Sequence, residues 1–229
     1  SDSDTLFGFI VRAYGIHGCQ PASQTCDGLE GGPDWLTKDR FEIKAKVSDN
    51  EPDYTMVQFL QGETPRLGLM MRALLADRFG LKVHTELRTM PVFAMTIAKG
   101  GSKLKTKGEA ETTKMLDGVP PPNHSVMFTV VPGTQPITRM MVQDRSLQQV
   151  ADTLTMFLGR PVVDQTGLRG NFDFTLDYDR NPDEAPPGKQ LADPSMFPAF
   201  QQQLGIKIEA TKAPVEVLVI DSVQRPTDN

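Results

Sequence analysis

The sequence predicts an α+β fold of two pseudo-repeated units, each a small, mostly antiparallel sheet covered by helices. Three observations lead to this prediction. Segments with apolar residues at helical spacing follow segments in which apolar and polar residues alternate. The 18 prolines and 19 glycines favour short elements joined by turns. The segment "FGLKVHTELRTMPVFAMTI", residues 79–97, returns in similar form as "LGIKIEATKAPVEVLVID", residues 204–221.

Two helices are predicted in the first half of the chain. One contains "TLFGFIVRAYG" and ends at Gly15. The other begins at Thr64-Pro65, a cap followed by a first-turn proline, and ends at Gly80. Each has an apolar stripe that we expect to face a core. In the first helix this stripe is Leu6, Phe9, Ile10 and Ala13; in the second it is Leu67, Met70, Met71, Leu74, Leu75 and Phe79.

Two further helices are predicted in the second half. One begins at Ser146 with Gln149 three residues later, the pattern of a capping box, and it ends at Gly159. The other begins at Asp193-Pro194 and ends at Gly205. Its predicted buried residues are Phe197, Phe200 and Leu204.

The segments between these helices have the patterns of strands. "RFEIKAKV" and "NFDFTLDY" alternate apolar and polar residues, as half-buried strands do. Three hairpins are predicted. "LKVHTEL" pairs with "PVFAMTIA", "IKIEA" pairs with "PVEVLVIDSV", and "SVMFTVVPGTQPITRMMVQ" turns near Pro132-Gly133.

The two halves place similar elements in the same order, which indicates an internal duplication. The alternative is a chance likeness between two amphipathic α+β segments. The matched positions are Leu6 with Leu147, Phe41-Glu42-Ile43 with Phe172-Asp173-Phe174, Thr64-Pro65 with Asp193-Pro194, residues 80–83 with 205–208, and Pro91-Val92 with Pro214-Val215.

The predicted domain boundaries follow from this duplication. Residues 1–106 form the first α+β unit, residues 107–124 form a linker loop, and residues 125–229 form the second unit. We expect the two units to pack as one compact body, with a ligand cleft at their seam.

Composition and charge exclude several classes of function. The formal net charge is −5 and the sequence has no basic block, so we expect no nucleic-acid partner. No apolar run approaches the roughly 18–20 residues that cross a bilayer, so no membrane span is expected. The two cysteines, Cys19 and Cys26, lie too close together for a zinc site without further ligands. We interpret them as a disulfide formed in an oxidising compartment; two free thiols in a cytosolic protein are the alternative.

Four segments also carry a resemblance to a known family. They are "YGI…GGPDWLTKDRFEIKAK", "LLADRFGLKVHTELRTMPVFAMTIAKGGSKLK", "FLGRPVVDQTGLRGNFDFTLDY" and "LGIKIEATKAPVEVLVIDSVQRP". In order and wording the chain resembles a large paralogous family of secreted acidobacterial proteins of the Solibacter type, whose function is unknown. Some members are fused to a membrane metallopeptidase of the β-lactam-sensor type.

This resemblance implies an extracytoplasmic location, periplasmic or secreted, and a role in sensing or interaction. Because the chain begins at a polar "SDSD", we expect that a signal peptide has been removed. Family members usually place a short strand before the first helix. Only "SDSD" precedes it here, so it stays open whether the sheet of the first unit includes this strand.

The histidines His84 and His124 are the candidates for a catalytic base. Neither has the i, i+4 partner of a helical metal pair. His84 alternates with Lys82 and Glu86 on the polar side of a predicted strand, which favours a solvated position over a ligand role. His124 follows a run of prolines.

The run "DYDRNPDE" is a candidate calcium loop. Asp177, Asp179, Asn181 and Asp183 stand on alternate residues, so their oxygens can converge on one cation. The pattern departs from a calcium loop later, where Pro182 replaces the usual glycine. A solvated strand exit explains the same residues.

Two weaker signals complete the search for a site. Ser102 and Lys105 have the S-x-x-K spacing of penicillin-recognising enzymes, but the companion signatures are absent from the sequence and the segment is typical of a glycine-rich loop. Trp35, the only tryptophan, follows "GGPD" and could line a ligand cleft. The alternative is that Trp35 fills the core where this loop meets a strand.

Two hypotheses of function follow, and whether the protein is an enzyme stays open between them. The first is an extracytoplasmic ligand-binding or protein-interaction module without catalytic turnover. The alternative is a secreted calcium-assisted hydrolase of a small ester or lactone, in which the cation activates water and His124 or His84 acts as general base. The first needs no cofactor, whereas the second needs calcium.

Overall fold

The computed structural model of the chain describes residues 3–16, 19, 26–44, 65–105, 124–132, 137–179 and 196–226. The predicted α+β class is confirmed, with small sheets and few helices. The chain divides into two compact units, one of Ser1–Arg88 with Pro214–Asn229 and one of Thr89–Ala213. The predicted domain boundaries stay a prediction, since linker residues 107–123 lie outside the described residues.

In its described residues, the first unit contains three helices and short strands. Its first two strands in the chain are β1 (Ser3–Thr5) and β2 (Leu29–Gly31), and β3 (Arg40–Glu42) pairs antiparallel with β1. Parts of the long strands β4 (Lys82–Ile97) and β9 (Ile206–Ser222) complete it, in the order β2-β9-β4. The helices are α1 (Leu6–Tyr14), α2 (Trp35–Lys38) and α3 (Pro65–Phe79).

Helix α1 forms as the sequence predicts. The Thr5 hydroxyl accepts a hydrogen bond from the backbone N–H of Gly8 at 3.2 Å, which caps the first turn. Gly15 ends the helix with a left-handed backbone, at φ 64°. The predicted apolar face is buried and contributes to one core cluster together with residues of β2, α2, α3 and β9. Its members from α1 are Leu6, Phe7, Phe9, Ile10 and Ala13.

The structure answers one open question for the first unit and corrects one prediction. A leading strand is present, because Asp4 of "SDSD" pairs with Phe41 in the β1–β3 ladder. The stripe of α3 is narrower than predicted. Leu75 and Phe79 are buried, but Met70 is 42% exposed, so this helix packs mainly through its last two turns. The predicted cap Thr64 lies outside the described residues.

The part of the second unit that the structure describes contains two strand groups and two helices. Strands β5 (Ser125–Val131), β6 (Ile137–Arg145) and β8 (Phe172–Asp179) form an antiparallel sheet in the order β5-β6-β8. Strand β7 (Val162–Asp164) pairs in parallel with β4. Helix α4 (Leu147–Leu158) is followed later by the short helix α5 (Phe197–Ala199) and a π-helical turn, Phe200–Leu204.

The predicted caps of the second unit are confirmed. Ser146 and Gln149 make both hydrogen bonds of a capping box at the start of α4, and Gly159 ends that helix at φ 63°. The π-helical turn ends at Gly205, as predicted for the fourth helix. The predicted start of that helix, Asp193-Pro194, lies outside the described residues. The predicted β5–β6 hairpin is confirmed by its ladder from Ser125↔Gln143 to Val131↔Ile137.

Two of the three predicted hairpins are wrong. Residues 82–97 and 206–222 are single continuous strands, β4 and β9, of 16 and 17 residues. The residues before Pro91 and Pro214 are "LRTM" and "ATKA", which lack the Asn-Gly or Asp-Gly pairs that turn tight hairpins. The prolines therefore do not interrupt the strands. "RFEIKAKV" is shorter than predicted, since its described strand ends at Glu42.

Strand–helix–strand order recurs in the two units. β1, α1 and β3 are followed by α3 and β4, whereas β6, α4 and β8 are followed by α5 and β9. Asp4 pairs with Phe41 in one ladder, and Arg145 pairs with Phe172 in the other. The strands differ in length, from 3 residues in β1 to 9 in β6. The internal duplication stays a prediction.

Candidate functional site

A network of ionisable side chains joins three strands of the first unit. We call Glu30 of β2, His84, Glu86 and Arg88 of β4, and Asp221 of β9 the charged network. His84 contacts Asp221 through Nδ1 at 2.8 Å and Glu86 through Nε2 at 3.0 Å. Arg88 donates to Glu86 through Nε at 3.0 Å and through a terminal nitrogen at 2.8 Å, and it also contacts Glu30. These side chains are 36–46% exposed.

The charged network favours the ionised forms of His84, Glu86 and Arg88. Hydrogen bonds that His84 donates to Glu86 and then to Asp221 raise its pKa above the ordinary value. The hydrogen bonds of His84 and then Arg88 lower the pKa of Glu86. An imidazole can donate from both ring nitrogens only when it is protonated. Both contacts of His84 are therefore complete below the ordinary histidine pKa and are lost as the pH rises through the raised value.

The second polar cluster lies at a bulge in the sheet of the second unit. The β6–β8 register shifts between Val142 and Arg145, which places Asp144 in the irregular part of the strand. Asp144 is buried and has a positive φ of 53°. Its backbone N–H donates to Asp173 Oδ1 at 2.7 Å, and Asn171 donates to its Oδ1 at 2.9 Å.

The predicted candidate His124 lies against this bulge. Its Nδ1 is 3.2 Å from the carbonyl oxygen of Asp144 and 3.3 Å from its Oδ2. We call His124, Asp144, Asn171 and Asp173 the bulge cluster. The buried Asp144 thus orients the His124 ring and leaves it partly exposed. An oriented base in an enzyme has this geometry.

The predicted calcium residues are only partly described. Asp177 accepts two hydrogen bonds from Arg139, at 2.7 and 2.6 Å, and these raise the pKa of Arg139. Asp179 ends strand β8, while Asn181 and Asp183 lie outside the described residues. Across the described ranges, no group of three or more histidine, cysteine or acidic side chains is arranged to hold a metal ion. Calcium binding stays a prediction.

Trp35 contacts aromatic and cationic side chains of the first unit. Its ring meets Phe41 edge to face at 6.1 Å between centroids, and Arg225 lies over it at 5.3 Å. It also packs against the buried core of that unit. These contacts fit the core-filling alternative, and a role in a ligand cleft stays a prediction.

Cys19 and Cys26 lie at disulfide-bonding distance, with their Cα atoms 4.1 Å apart. The pairing predicted from the sequence is therefore present in the structure. Ser102 lies in the loop after β4, where its hydroxyl accepts a hydrogen bond from the backbone N–H of Leu104 at 3.2 Å. The S-x-x-K spacing with Lys105 thus falls in a loop, as the sequence predicted.

Sequence reasoning missed six residues of the two clusters. Asp144 falls inside a strand pattern, and nothing in the local sequence marks a bulge. The pairing of Arg88 with Glu30 and of His84 with Asp221 depends on strands far apart in the chain. The one available signal is the spacing of His84, Glu86 and Arg88, which puts alternate residues on one face of a strand. The missed residues are Glu30, Arg88, Asp144, Asn171, Asp173 and Asp221.

The fold and the two clusters define an α+β protein with polar sites on its strands. In the described residues, no helix has both the length and the apolar character needed to cross a bilayer. The chain belongs to the family described as "Protein of unknown function (DUF3738)", whose match covers residues 8–223. Comparison with curated proteins gave no match. Comparison with solved structures gave none either.

Proposed function

We propose that the protein is an extracytoplasmic binding or interaction module that recognises its ligand or partner through the charged network. The observation that carries this proposal is the convergence of five ionisable side chains from three strands. Hydrogen-bonded strands hold their side chains at fixed positions, which suits recognition by charged and polar groups. The ligand itself is an unknown small molecule or extracytoplasmic protein.

Stability alone gives little reason for such a network. Ion pairs between exposed side chains typically contribute about 0–1 kcal/mol, because solvent screens them and ordering long side chains costs entropy. The side chains of Arg88 and Glu86 are 36% and 43% exposed, so they remain accessible to a partner. A charged group of the ligand can replace one ion pair within the network. It then binds a side chain that the strands already hold in a fixed orientation.

The extracytoplasmic part of the proposal has two supports. The cysteine pair at bonding distance fits an oxidising compartment, where disulfides persist. The resemblance to secreted proteins, some fused to a membrane metallopeptidase, points in the same direction. Periplasmic and secreted locations both agree with these observations.

Selection from a displayed library of random peptides tests the binding proposal. We expect the immobilised full chain to enrich peptides whose affinity falls about tenfold or more in the variant Arg88→Ala/Glu86→Gln, since hydrogen bonds to charged groups contribute about 1.5–3 kcal/mol. Titration calorimetry gives the affinities. A thermal-shift panel of charged amino acids and sugar acids covers small ligands in the same variants.

The matched control is Lys207→Ala/Glu209→Gln, an ion pair on β9 that lies outside the charged network and is similarly exposed. It should leave binding unchanged. Equal affinities for the wild type and the Arg88/Glu86 variant would contradict recognition through this network. The absence of any enriched peptide and of any thermal shift would contradict a binding module.

A second function, hydrolysis of a small ester or lactone, is favoured by one observation. His124 is held by the buried carboxylate of Asp144, as a general base requires. In its calcium-assisted form, the proposal places a cation on Asp177, Asp179, Asn181 and Asp183. Asp177 would have to exchange its two hydrogen bonds with Arg139 for the cation.

Thermal unfolding with added calcium tests the calcium-assisted form. A ligand at about 100 times its dissociation constant stabilises the native state by about 2.7 kcal/mol. If calcium binds, the midpoint should rise by several degrees at millimolar calcium and return with chelator. Asp177→Asn/Asp179→Asn should abolish the rise. The same midpoint with calcium and with chelator would remove calcium from the mechanism.

A further inference from the structure

Two non-glycine residues of the described chain have a left-handed backbone, and they contact each other. They are His124, at φ 55°, and Asp144, at φ 53°. This conformation is unfavourable for residues with a side chain, and it persists only where surrounding contacts hold it. Such strain is concentrated at functional sites in proteins. The meeting of both strained residues in the bulge cluster therefore points to a site.

The contacts that hold Asp144 come from strand β8 and the residue before it. Asp173 accepts its backbone N–H at 2.7 Å, and Asn171 donates to its Oδ1 at 2.9 Å. The carboxylate is only 6% exposed. Because Asn171 holds one carboxylate oxygen, the other is directed to His124 at 3.3 Å. The carboxylate is thus buried and oriented before any ligand arrives.

The contacts of His124 decide which ring nitrogen carries its proton. Nδ1 faces two acceptors of Asp144, the carbonyl oxygen at 3.2 Å and Oδ2 at 3.3 Å, so Nδ1 is the donor. In the neutral ring Nε2 is then the proton acceptor. The His124 side chain is 56% exposed, and within the described ranges Nε2 has no hydrogen-bond partner. This is the tautomer that accepts a proton from water.

We propose that His124 and Asp144 form a general-base site that hydrolyses small esters or lactones without a metal ion. His124 is the catalytic residue, and Asp144 positions it. This inference rests on the second of the two proposed functions and is independent of the charged network. It differs from the calcium-assisted form because it assigns activation of water to the imidazole alone.

The reaction balances with water as the only co-substrate. Nε2 of His124 takes one proton from water while the water oxygen bonds to the carbonyl carbon, which gives a tetrahedral anion. Collapse of this anion restores the carbonyl and breaks the bond to the alcohol oxygen. The imidazolium then returns its proton to the departing alkoxide. Asp144 stays ionised and stabilises the imidazolium throughout. The other carboxylate of the cluster, Asp173, is engaged with the Asp144 backbone.

Hydrolysis of p-nitrophenyl acetate and butyrate by the full chain tests the proposal, with γ- and δ-lactones followed in a pH-stat. His124→Gln should lower the rate by about a hundredfold or more. Lys207→Ala/Glu209→Gln is the control, because this exposed ion pair of the same unit lies outside both the bulge cluster and the charged network. It should leave the rate unchanged.

Asp144→Asn separates positioning from folding. It should lower kcat by about tenfold or more with little change in KM, because the imidazolium loses the negative charge of the carboxylate that positions it. Nitrogen NMR of the wild type reports the tautomer directly, so the test does not depend on this variant folding. A His124 ring protonated on Nε2 in its neutral form would overturn the proposal. Equal rates for His124→Gln and wild type, or a wild-type rate no faster than buffer, would overturn it as well.

The outcome is separable from that of the binding proposal. The peptide-binding variant Arg88→Ala/Glu86→Gln alters the first unit and should retain wild-type hydrolysis. His124→Gln alters the second unit and should retain peptide binding. If each variant loses only one activity, peptide binding is assigned to the charged network and hydrolysis to the bulge cluster.

Discussion

Gly205→Ala is expected to destabilise the second unit by about 3 kcal/mol, the sum of a left-handed backbone and a steric overlap. Gly205 ends the π-helical turn at φ 68°, and a Cβ there would lie 2.1 Å from the carbonyl oxygen of Gly101. Backbone atoms cannot move aside as a flexible side chain does. The overlap must therefore displace the loop after β4.

The loop around Gly101 is fixed from both sides. The N–H of Ala98 donates to the carbonyl of Gly205 at 2.9 Å, and the N–H of Lys103 donates to that of Leu204 at 2.9 Å. Moving the loop to admit a methyl group would break at least one of these bonds. This close approach is the reason that only glycine fits at the end of the turn.

Gly167→Ala is the control for the backbone effect alone. Gly167 lies in the same unit at φ 71°, but a Cβ there would meet nothing within 4 Å. It should cost only about 1 kcal/mol. Urea unfolding followed by circular dichroism measures both variants. Equal losses of unfolding free energy for the two substitutions would show that the overlap at Gly205 is relieved without cost.

The helices illustrate what the sequence can predict. α1 and α4 were predicted because local signals agree: both have an apolar face at helical spacing and a glycine stop, and α4 also has the capping box at Ser146. Each signal acts within a few residues of the chain. Tertiary contacts do not need to be known to read them.

The long strands show where local signals fail. β4 and β9 were predicted as hairpins because proline follows a polar stretch in each. Strand continuity depends instead on neighbours distant in the chain, such as β2, where Leu29 pairs with Leu218. Because these partners are distant in the chain, a proline alone does not show whether a strand continues through it.

The candidate sites could be predicted only where the signal lies within one strand. His84 was placed on a polar strand face with Glu86 from alternation alone, and the structure has this arrangement. Its second partner, Asp221, and the pairing of Arg88 with Glu30 required strand order. Asp144 was missed because a register shift between β6 and β8 leaves no mark in "VQDRS".

The π-helical turn was predicted as an ordinary helix, because Phe200 and Leu204 have the spacing of either form. The wider turn buries both side chains and places Gln203 beside strand β8. There the Gln203 side chain accepts from the backbone N–H of Asp177 at 3.2 Å and donates to its carbonyl. An amide side chain thus occupies hydrogen-bonding groups that another strand could use.

Phe200→Ala is expected to lower the free energy of unfolding by about 3–5 kcal/mol, the range for removing a buried aromatic ring. Phe200 has no exposed surface and packs in the core cluster of the second unit, beside residues of α4 and β8. Phe197→Ala is the matched control on the same helix. Its ring is partly exposed and meets Phe93 edge to face at 5.0 Å, so its loss should cost about 1–2 kcal/mol.

The comparison of these two variants tests which side chains of the π-helical turn and of α5 face the core. If the segment were an ordinary α-helix, the orientation of the two rings toward the core would change. The losses of unfolding free energy in the two variants would then become similar. Urea unfolding gives both free energies, and proton NMR of the Gln203 amide reports whether its contact with β8 survives. Because the turn orients Gln203, Phe200→Ala should weaken that contact, while Phe197→Ala should preserve it. Similar losses in the two variants, with the Gln203 contact unchanged in both, would contradict this arrangement.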